Sequence, residues 1–202
     1  MVLERHLEGR GIRDPGVLEA IRSVPREQFV PPDLAAQAHG DHPVPIGYGQ
    51  TISQPFIVAL MTEALGVAPG DRVLEIGTGS AYQTAVLAAL GVEVFSLEIV
   101  PELAAAARQR LDRLGYAANI RVGDGYRGWE EHAPFDGIVV TAAPDHLPRP
   151  LVKQLASGGR LVIPIGPAGG TQTLWRYTLD DAGDLQAGDL GAVAFVPFTG
   201  EA

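Results

Sequence analysis

The sequence contains no cysteine and no run of about 18 consecutive apolar residues. Without cysteine, disulfide bonds, thiolate-ligated zinc, iron–sulfur clusters and a thiol nucleophile are all excluded. Without a long apolar run, the sequence predicts no transmembrane helix. Residues 1–8 mix charges of both signs and lack the apolar stretch of a signal peptide. We therefore expect a soluble, cytoplasmic protein.

Basic residues are also in the minority, with 15 Lys and Arg against 24 Asp and Glu and a formal net charge of −9. This balance argues against a broad basic face for nucleic acid or an anionic membrane, because both partners are negatively charged. Hydrophobic residues make up 46% of the chain, which is enough to bury a sizeable core. At this length we expect one domain over residues 1–202, and a monomer.

Glycine and proline are abundant instead, with 25 and 16 residues, which is typical of a folded chain with many shaped turns. Prolines interrupt the first fifty residues, where only short helical periods are found. A glycine- and hydroxyl-rich loop follows, and then a helix with an apolar stripe from Phe56 to Leu65 that ends before Gly66. Residues 1–70 are therefore predicted to form an N-terminal helical cap with this loop.

From residue 71 the pattern changes to short apolar strands that alternate with helices. The predicted strands are residues 72–76, 92–99, 120–122, 135–140 and 160–165. Alternation of this kind predicts a parallel sheet with helices on both faces. Two more strands, at 173–179 and 190–198, leave no room for a crossover helix between them, so we expect them to be antiparallel. The fold class is therefore α/β, with antiparallel strands at the C-terminal end of a mostly parallel sheet.

The loop after the first strand lies where open parallel sheets bind ligands. Within it, Gly77 and Gly79 flank Thr78 and permit a tight turn with close approach of a ligand to the backbone. Glu98 ends the second strand, where a carboxylate can accept hydrogen bonds from both hydroxyls of a ribose. A glycine-rich turn without a ligand is the alternative interpretation.

The position of Tyr82 argues against a nicotinamide cofactor, because a dinucleotide fingerprint requires glycine there. The pattern that begins at Glu75, acid-x-Gly-x-Gly, instead resembles the first motif of Rossmann-like methyltransferases, which bind S-adenosylmethionine. Glu75 is then expected to support the charge balance at the ammonium end of this cofactor. Ala81 replaces a glycine of the motif, which is tolerable if the backbone there is helical. Residues 71–202 are thus the expected cofactor-binding core.

Asp124 and Gly125 follow the third strand and add an independent indication of the same site. Because the carboxyl ends of parallel strands meet at one edge of the sheet, these residues should face the adenine side of the same crevice. A carboxylate there can accept a hydrogen bond from the exocyclic amine. We therefore predict that Asp124 and Gly125 contribute to cofactor binding.

Residues 45–55, Pro-Ile-Gly-Tyr-Gly-Gln-Thr-Ile-Ser-Gln-Pro, resemble the signature loop of protein-L-isoaspartate (D-aspartate) O-methyltransferases. The resemblance extends from about residue 20 to the C-terminus. It implies methyl transfer from S-adenosylmethionine to the free α-carboxylate of L-isoaspartyl, and possibly D-aspartyl, residues in damaged proteins. The ester then closes to a succinimide, which hydrolyses partly to normal aspartate. The other matching segments are residues 26–31, 74–83, 123–125, 128–129, 135–136, 140–143, 154–155, 158–161 and 196–198.

The resemblance also implies the site residues on the acceptor side. Ser53 is the expected catalytic residue, whose hydroxyl orients the acceptor carboxylate and does not act as a covalent nucleophile. Thr51, Ile52 and Gln54 are expected to contact the substrate, and Thr199 matches a cofactor contact of some relatives. No general base is needed, since the acceptor is ionised at neutral pH. Ser53 could alternatively cap the helix that follows.

Two alternative functions stay open at this stage. One is methylation of an aspartate in a single dedicated protein or peptide partner, and the other is cofactor binding without catalysis. A nucleic-acid methyltransferase is disfavoured by the net charge and by residues 141–144, which lack the acidic or amide residue and aromatic of amino-methylating enzymes. His39 and His42 have only Asp41 as a nearby carboxylate, so we predict no metal site.

Overall fold

The computed structural model describes residues 2–200, and the side chains from residue 5 onward. Its α-helices are α1 (Val2–Gly9), α2 (Pro15–Ser23), α3 (Pro55–Leu65), α4 (Tyr82–Ala89), α5 (Pro101–Leu114) and α6 (Arg149–Lys153). Its strands are β1 (Val44–Gly47), β2 (Gln50–Ile52), β3 (Arg72–Ile76), β4 (Glu93–Glu98), β5 (Asn119–Val122), β6 (Phe135–Val140), β7 (Leu155–Ile165), β8 (Gln172–Leu179) and β9 (Leu185–Val193). Within that described range, no helix has both the length and the apolar character needed to cross a bilayer.

Seven strands form one sheet in the order β5-β4-β3-β6-β7-β8-β9. Neighbouring strands from β5 to β7 are parallel, and β8 and β9 continue the sheet in antiparallel pairs. This confirms the predicted fold class. From β3 the strands continue through β4 and β5 on one side and through β6 and β7 on the other, so the strand order reverses at β3. Such a reversal leaves a crevice beyond the carboxyl ends of the strands.

The central strands β3 and β6 are almost wholly buried, which explains why they read as continuous apolar runs. The N-terminal region packs on one side of the sheet. Leu7 of α1, Phe29 of a 3₁₀ helix (Arg26–Phe29) and Val58 of α3 join Tyr82 of α4 in a single hydrophobic cluster. The N-terminal segment and the start of α4 are therefore held together by shared apolar burial.

The prediction of a loop at residues 45–55 is wrong in one respect, because part of this segment forms a two-stranded hairpin. Strands β1 and β2 pair in antiparallel register, with Val44 opposite Ile52. The turn between them places both Tyr48 and Gly49 at positive φ, 53° and 71°. Two such residues in a row make a turn whose twist matches that of the flanking strands, so the glycine-rich sequence closes a hairpin.

The predicted last strand, residues 190–198, is also wrong in its bounds. The carboxylate of Asp180 accepts hydrogen bonds from the backbone N–H groups of Ala182 (3.0 Å) and Asp184 (2.8 Å), which closes a tight turn. Pairing therefore resumes at once, in β9 (Leu185–Val193). After β9 the chain leaves the sheet, and Phe198 N donates to the carbonyl of Ala143 at 2.9 Å.

The expectation for Ala81 needs correction too. Its backbone has φ 67° and ψ 15°, which is left-handed, and it immediately precedes α4. A left-handed L-residue costs about 1–2 kcal/mol. The methyl group itself is fully buried in the cluster shared with the N-terminal region. The glycine of the related motif is therefore replaced at a position whose conformation favours glycine.

Candidate active site

A cleft lies at the carboxyl ends of the parallel strands, beyond the adjacent ends of β3 and β6. Its wall combines the hairpin, the glycine loop, the ends of β4 and β6 and the C-terminal segment. The wall includes residues 50–53, 76–80, 97–99, 141–142 and 196–199, together with Gly123 and Gly125.

The structure brings most of the predicted site residues to this wall. Those that line it are Thr51, Ile52, Ser53, Gly77, Thr78, Gly79, Glu98, Gly125 and Thr199. Gln54, Glu75 and Asp124 do not line it. Gln54 instead lines a second cleft of about 590 Å³ that opens beside the first. The two clefts share Thr51, Ser53, Thr141 and Val196.

The glycine loop bends sharply at Gly77, whose φ is 93°. The hydroxyl of Thr141 donates to the carbonyl oxygens of Gly77 (2.7 Å) and Ile76 (3.0 Å). A Cβ atom on Gly77 would lie 2.4 Å from that hydroxyl oxygen, closer than van der Waals contact allows. The loop backbone thus takes its position only because residue 77 has no side chain.

Glu98 anchors the same loop from the end of β4, and its side chain is 5% exposed. One carboxylate oxygen accepts from Gly79 N at 2.7 Å, and the other accepts from Val100 N at 2.9 Å. A carboxylate has about four lone-pair positions, so both oxygens retain acceptor capacity toward the cleft. Glu98 therefore shapes the loop and lines the cleft at the same time.

Glu75 lies behind the loop, because its side chain leaves β3 toward α4 and not toward the cleft. One of its carboxylate oxygens accepts from Thr84 and Ser96, each at 2.6 Å. Ser96 in turn lies 2.6 Å from the Thr78 hydroxyl, which gives a buried chain of hydrogen bonds. The second oxygen, Oε1, has no partner among residues 5–200. Burial raises the pKa of Glu75 to about 8.

Asp124 also acts on the backbone, since its carboxylate accepts from Tyr126 N at 3.0 Å and caps a short 3₁₀ helix (Gly125–Arg127). The Tyr126 ring stacks on Phe198 with their centroids 4.3 Å apart. A Cβ atom on Gly125 would lie 2.3 Å from Cγ2 of Ile76. As at Gly77, only glycine lets the backbone come this close to the floor of the cleft.

Ser53 lies between β2 and α3, on the wall of both clefts. Its hydroxyl makes no hydrogen bond within the described part of the chain. The predicted capping alternative for Ser53 is wrong, because the N-cap residue of α3 is Gln54, and it makes no side-chain cap. The Ser53 hydroxyl is therefore available to a ligand.

Sequence reasoning gave no role to Thr141, which holds the glycine loop and lines both clefts. Thr141 follows β6 directly, at the point where the strand order reverses next to β3. This position could have identified it as a site residue, because ligands bind at such reversals.

Trp129 is a core residue, with its ring centroid 5.8 Å from that of Phe95. His132 is half-buried against the same ring. No cluster of three potential metal ligands is found among the described residues.

The cleft fits S-adenosylmethionine on two observations. The close backbone approaches at Gly77 and Gly125 form a cradle that a Cβ atom would obstruct. Glu98 provides acceptor oxygens at the mouth of the same cradle, beside the exposed apolar side chain of Ile99. Acceptors for ribose hydroxyls next to an apolar surface for a purine match the chemistry of an adenosyl group.

Comparisons with known proteins agree with this fit. The model of the protein-L-isoaspartate(D-aspartate) O-methyltransferase (PCMT) family matches residues 2–202. A protein-L-isoaspartate O-methyltransferase of Methylorubrum extorquens (strain PA1) is 56% identical over 196 residues, covering 97% of this chain and 86% of that protein.

Solved structures give the same result. A protein-L-isoaspartate O-methyltransferase superimposes with a TM-score of 0.87 and 30% identity over 98% of this chain, which spans 65% of that protein. A Plasmodium falciparum protein described as a protein-L-isoaspartate O-methyltransferase was solved in complex with S-adenosyl-L-homocysteine. It matches with a TM-score of 0.84 and 30% identity, over 98% of this chain and 97% of that one. The chain belongs to the protein-L-isoaspartate(D-aspartate) O-methyltransferase family.

Proposed function

We propose that this chain transfers a methyl group from S-adenosylmethionine to the free α-carboxylate of L-isoaspartyl residues in damaged proteins and peptides. D-aspartyl residues are a second acceptor in this proposal. The observation that carries it is the position of the Ser53 hydroxyl, which has no partner among the described residues and lies where two clefts meet. One cleft is built on the glycine loop, and the other opens beside it with room for a peptide.

The cofactor side of the proposal uses the residues around the first cleft. When bound, S-adenosylmethionine supplies a methyl group activated by its sulfonium charge. Glu98 would accept the ribose hydroxyls with the lone pairs not used by Gly79 and Val100. The adenine side would be formed by Gly125 and Thr199, and Asp124 would support it by holding the backbone that follows Gly125. Gly77, Thr78 and Gly79 would supply backbone contacts, and Glu75 would act through the loop, since it does not line the wall.

On the acceptor side, Ser53 would donate a hydrogen bond to the acceptor carboxylate and hold it in line with the methyl group. Thr51, Ile52 and Gln54 would contact the peptide around it. No proton has to be removed, because the carboxylate is already ionised at neutral pH. In keeping with this, the described wall of the first cleft contains no histidine. The chain's contribution is therefore orientation and exclusion of water, not proton transfer.

The test uses methyl-labelled S-adenosylmethionine and matched peptides that differ only in isoaspartate, D-aspartate or L-aspartate. We expect label on the isoaspartyl peptide, less on the D-aspartyl peptide, and none on the L-aspartyl peptide. Equal labelling of isoaspartyl and L-aspartyl peptides would contradict repair specificity. Label in a protein extract but in neither peptide would favour a dedicated partner. Binding of S-adenosyl-L-homocysteine without any labelling would favour a protein that has lost catalysis.

We also propose that the chain acts as a monomer in the cytoplasm, with residues 1–70 as the cap over its substrate. The absence of cysteine supports this location, since nothing in the sequence requires an oxidising compartment. Light scattering during size-exclusion chromatography should give a mass close to 21.3 kDa, and a dimer mass would contradict the monomer. Cell fractionation tests the location.

A further inference from the structure

Arg26 is among the most completely buried large side chains of the molecule, with 1% of its surface exposed. Its Nη2 donates to the carbonyl oxygen of Ser53 at 2.7 Å, and its Nε donates to the carbonyl oxygen of Ala38 at 2.7 Å. Residue 26 is thus 27 positions before Ser53 in the chain but directly behind it in space. One guanidinium joins the N-terminal region to the residue at the junction of the two clefts.

This buried cation has no salt bridge to a carboxylate in the described part of the chain, and its Nη1 has no hydrogen-bond partner there. Burial lowers the pKa of Arg26 to about 10, so the group is still charged at neutral pH. Asp41, whose charge also acts on Arg26, is bonded to His6 and Arg10. Burying a charge without a matched partner is costly, and this guanidinium is held mainly by the backbone carbonyl groups of Ala38 and Ser53.

The same guanidinium also contacts the first helical turn after the glycine loop. Its central carbon lies 4.7 Å from the centroid of the Tyr82 ring, within cation–π distance. Tyr82 begins α4 and lines the first cleft. Its hydroxyl is buried and has no partner among the described residues. Arg26 therefore touches both sides of the site: the backbone of Ser53 and the side chain that follows the cofactor loop.

We propose that Arg26 is a positioning residue for the methyl acceptor, which fixes the Ser53 backbone and supplies a positive charge that favours a carboxylate there. The proposal rests on the proposed function. It goes beyond that function by naming the residue that positions the acceptor side of the site and gives it a positive charge. The only carboxylate among the described wall residues is Glu98, on the cofactor side. Charges of opposite sign thus stand at the two sides of the site, the negative one for a cationic cofactor and the positive one for an anionic acceptor.

Arg110 offers a matched control. Its Nη1 donates to the carbonyl oxygen of Ser80 at 2.8 Å, so it makes the same kind of bond to the loop on the other side. Loss of the Arg110 guanidinium should weaken binding of S-adenosyl-L-homocysteine and leave the peptide KM nearly unchanged. Loss of the Arg26 guanidinium should do the reverse.

The experiment compares Arg26→Met, Arg26→Lys and Arg110→Met with the unchanged chain. Four quantities are measured: kcat and KM for an isoaspartyl peptide, calorimetric affinity for S-adenosyl-L-homocysteine, and amide hydrogen exchange at residues 51–54. Arg26→Met should lower kcat/KM about 100-fold, because a small misplacement of a reacting group has that effect. Its affinity for S-adenosyl-L-homocysteine should stay within about threefold, and exchange at residues 51–54 should accelerate. Arg26→Lys, which keeps the charge, should recover part of the loss.

Several results would overturn the inference. One is a kcat/KM for Arg26→Met that is unchanged, and another is a loss of cofactor affinity as large as the loss of kcat/KM. Equal defects in Arg26→Lys and Arg26→Met would exclude the role of charge. If Arg26→Met does not fold, Arg26→Lys supplies the same measurements. If the unchanged chain does not methylate the isoaspartyl peptide, the proposed function fails, while hydrogen exchange and ligand affinity still test the positioning.

Discussion

The two sides of the cleft are held by different kinds of contact. On the glycine-loop side, Thr78 and Glu98 are buried and bonded to neighbouring strands or to the loop backbone. On the hairpin side, Thr51 is exposed, Tyr48 at the turn is 61% exposed, and the Ser53 hydroxyl has no partner among the described residues. The difference is what the proposed function would need: a pre-formed side for one cofactor and an open side for varied peptides.

The largest effect is expected at Gly77, where the shape of the glycine loop depends on the absence of a side chain. Gly77→Ala should lower the free energy of unfolding by about 3 kcal/mol, through strain at φ 93° and a collision with Thr141. Binding of S-adenosyl-L-homocysteine should fall at least about tenfold. Chemical denaturation and calorimetry measure the two quantities.

The matched control lies at the turn of the hairpin. Gly49 also has positive φ, 71°, but no atom lies within 4 Å of the Cβ that alanine would add. Gly49→Ala should therefore lose only about 1 kcal/mol, from backbone strain alone, and keep its cofactor affinity. Equal losses in the two variants would remove the contrast between a rigid and an open side.

The next largest effect is expected at Glu98, which anchors the glycine loop. Glu98→Ala removes the proposed ribose acceptor and leaves the N–H groups of Gly79 and Val100 without their carboxylate partner. The Kd for S-adenosyl-L-homocysteine should rise about 100-fold, while the peptide KM changes much less. Calorimetry and steady-state kinetics measure these quantities, and an unchanged Kd would reject the ribose role.

A smaller effect is expected at Ser53, on the open side. Ser53→Ala should lower kcat about tenfold by removing one hydrogen bond to a charged group. Neither stability nor cofactor affinity should change, since the hydroxyl has no partner to lose among the described residues. Ser157→Ala, which removes a hydroxyl bonded to Asp181, serves as the control outside the cleft. If cofactor binding collapses in Ser53→Ala, the residue belongs to the cofactor side.

The last comparison concerns Glu75, which lies behind the glycine loop and whose effect is seen as a pH dependence of stability. Its pKa is raised from 4.5 to about 8, so between these values the folded state keeps a proton that the unfolded state has released. The free energy of unfolding should therefore fall as pH rises through this range. Glu75→Gln lacks this contribution, so its stability relative to the unchanged chain should improve from pH 5 to pH 8. Parallel pH profiles would contradict a protonated Glu75.

Most of the fold and much of the site could be predicted from local patterns. The end of α3 was readable because its left-handed C-cap, at Gly66, favours glycine. The cleft residues at strand ends followed from a general property of parallel sheets. The buried position of Glu75 could not be predicted, because its side chain points toward α4 and that direction depends on how β3 is packed.

By itself, the sequence determined the order of strands and helices, the glycine loop and the family, since periodicity, glycine conformation and motif identity are local properties. Only the tertiary structure decided that residues 44–52 pair as a hairpin, that the last strand begins at Leu185, and that Arg26 lies behind Ser53. Each of these depends on hydrogen bonds that hydrophobic periodicity does not reveal, whether they close a turn, as at Asp180, or join distant segments, as at Arg26. A buried arginine, in particular, looks like any surface cation until the fold removes water from around it.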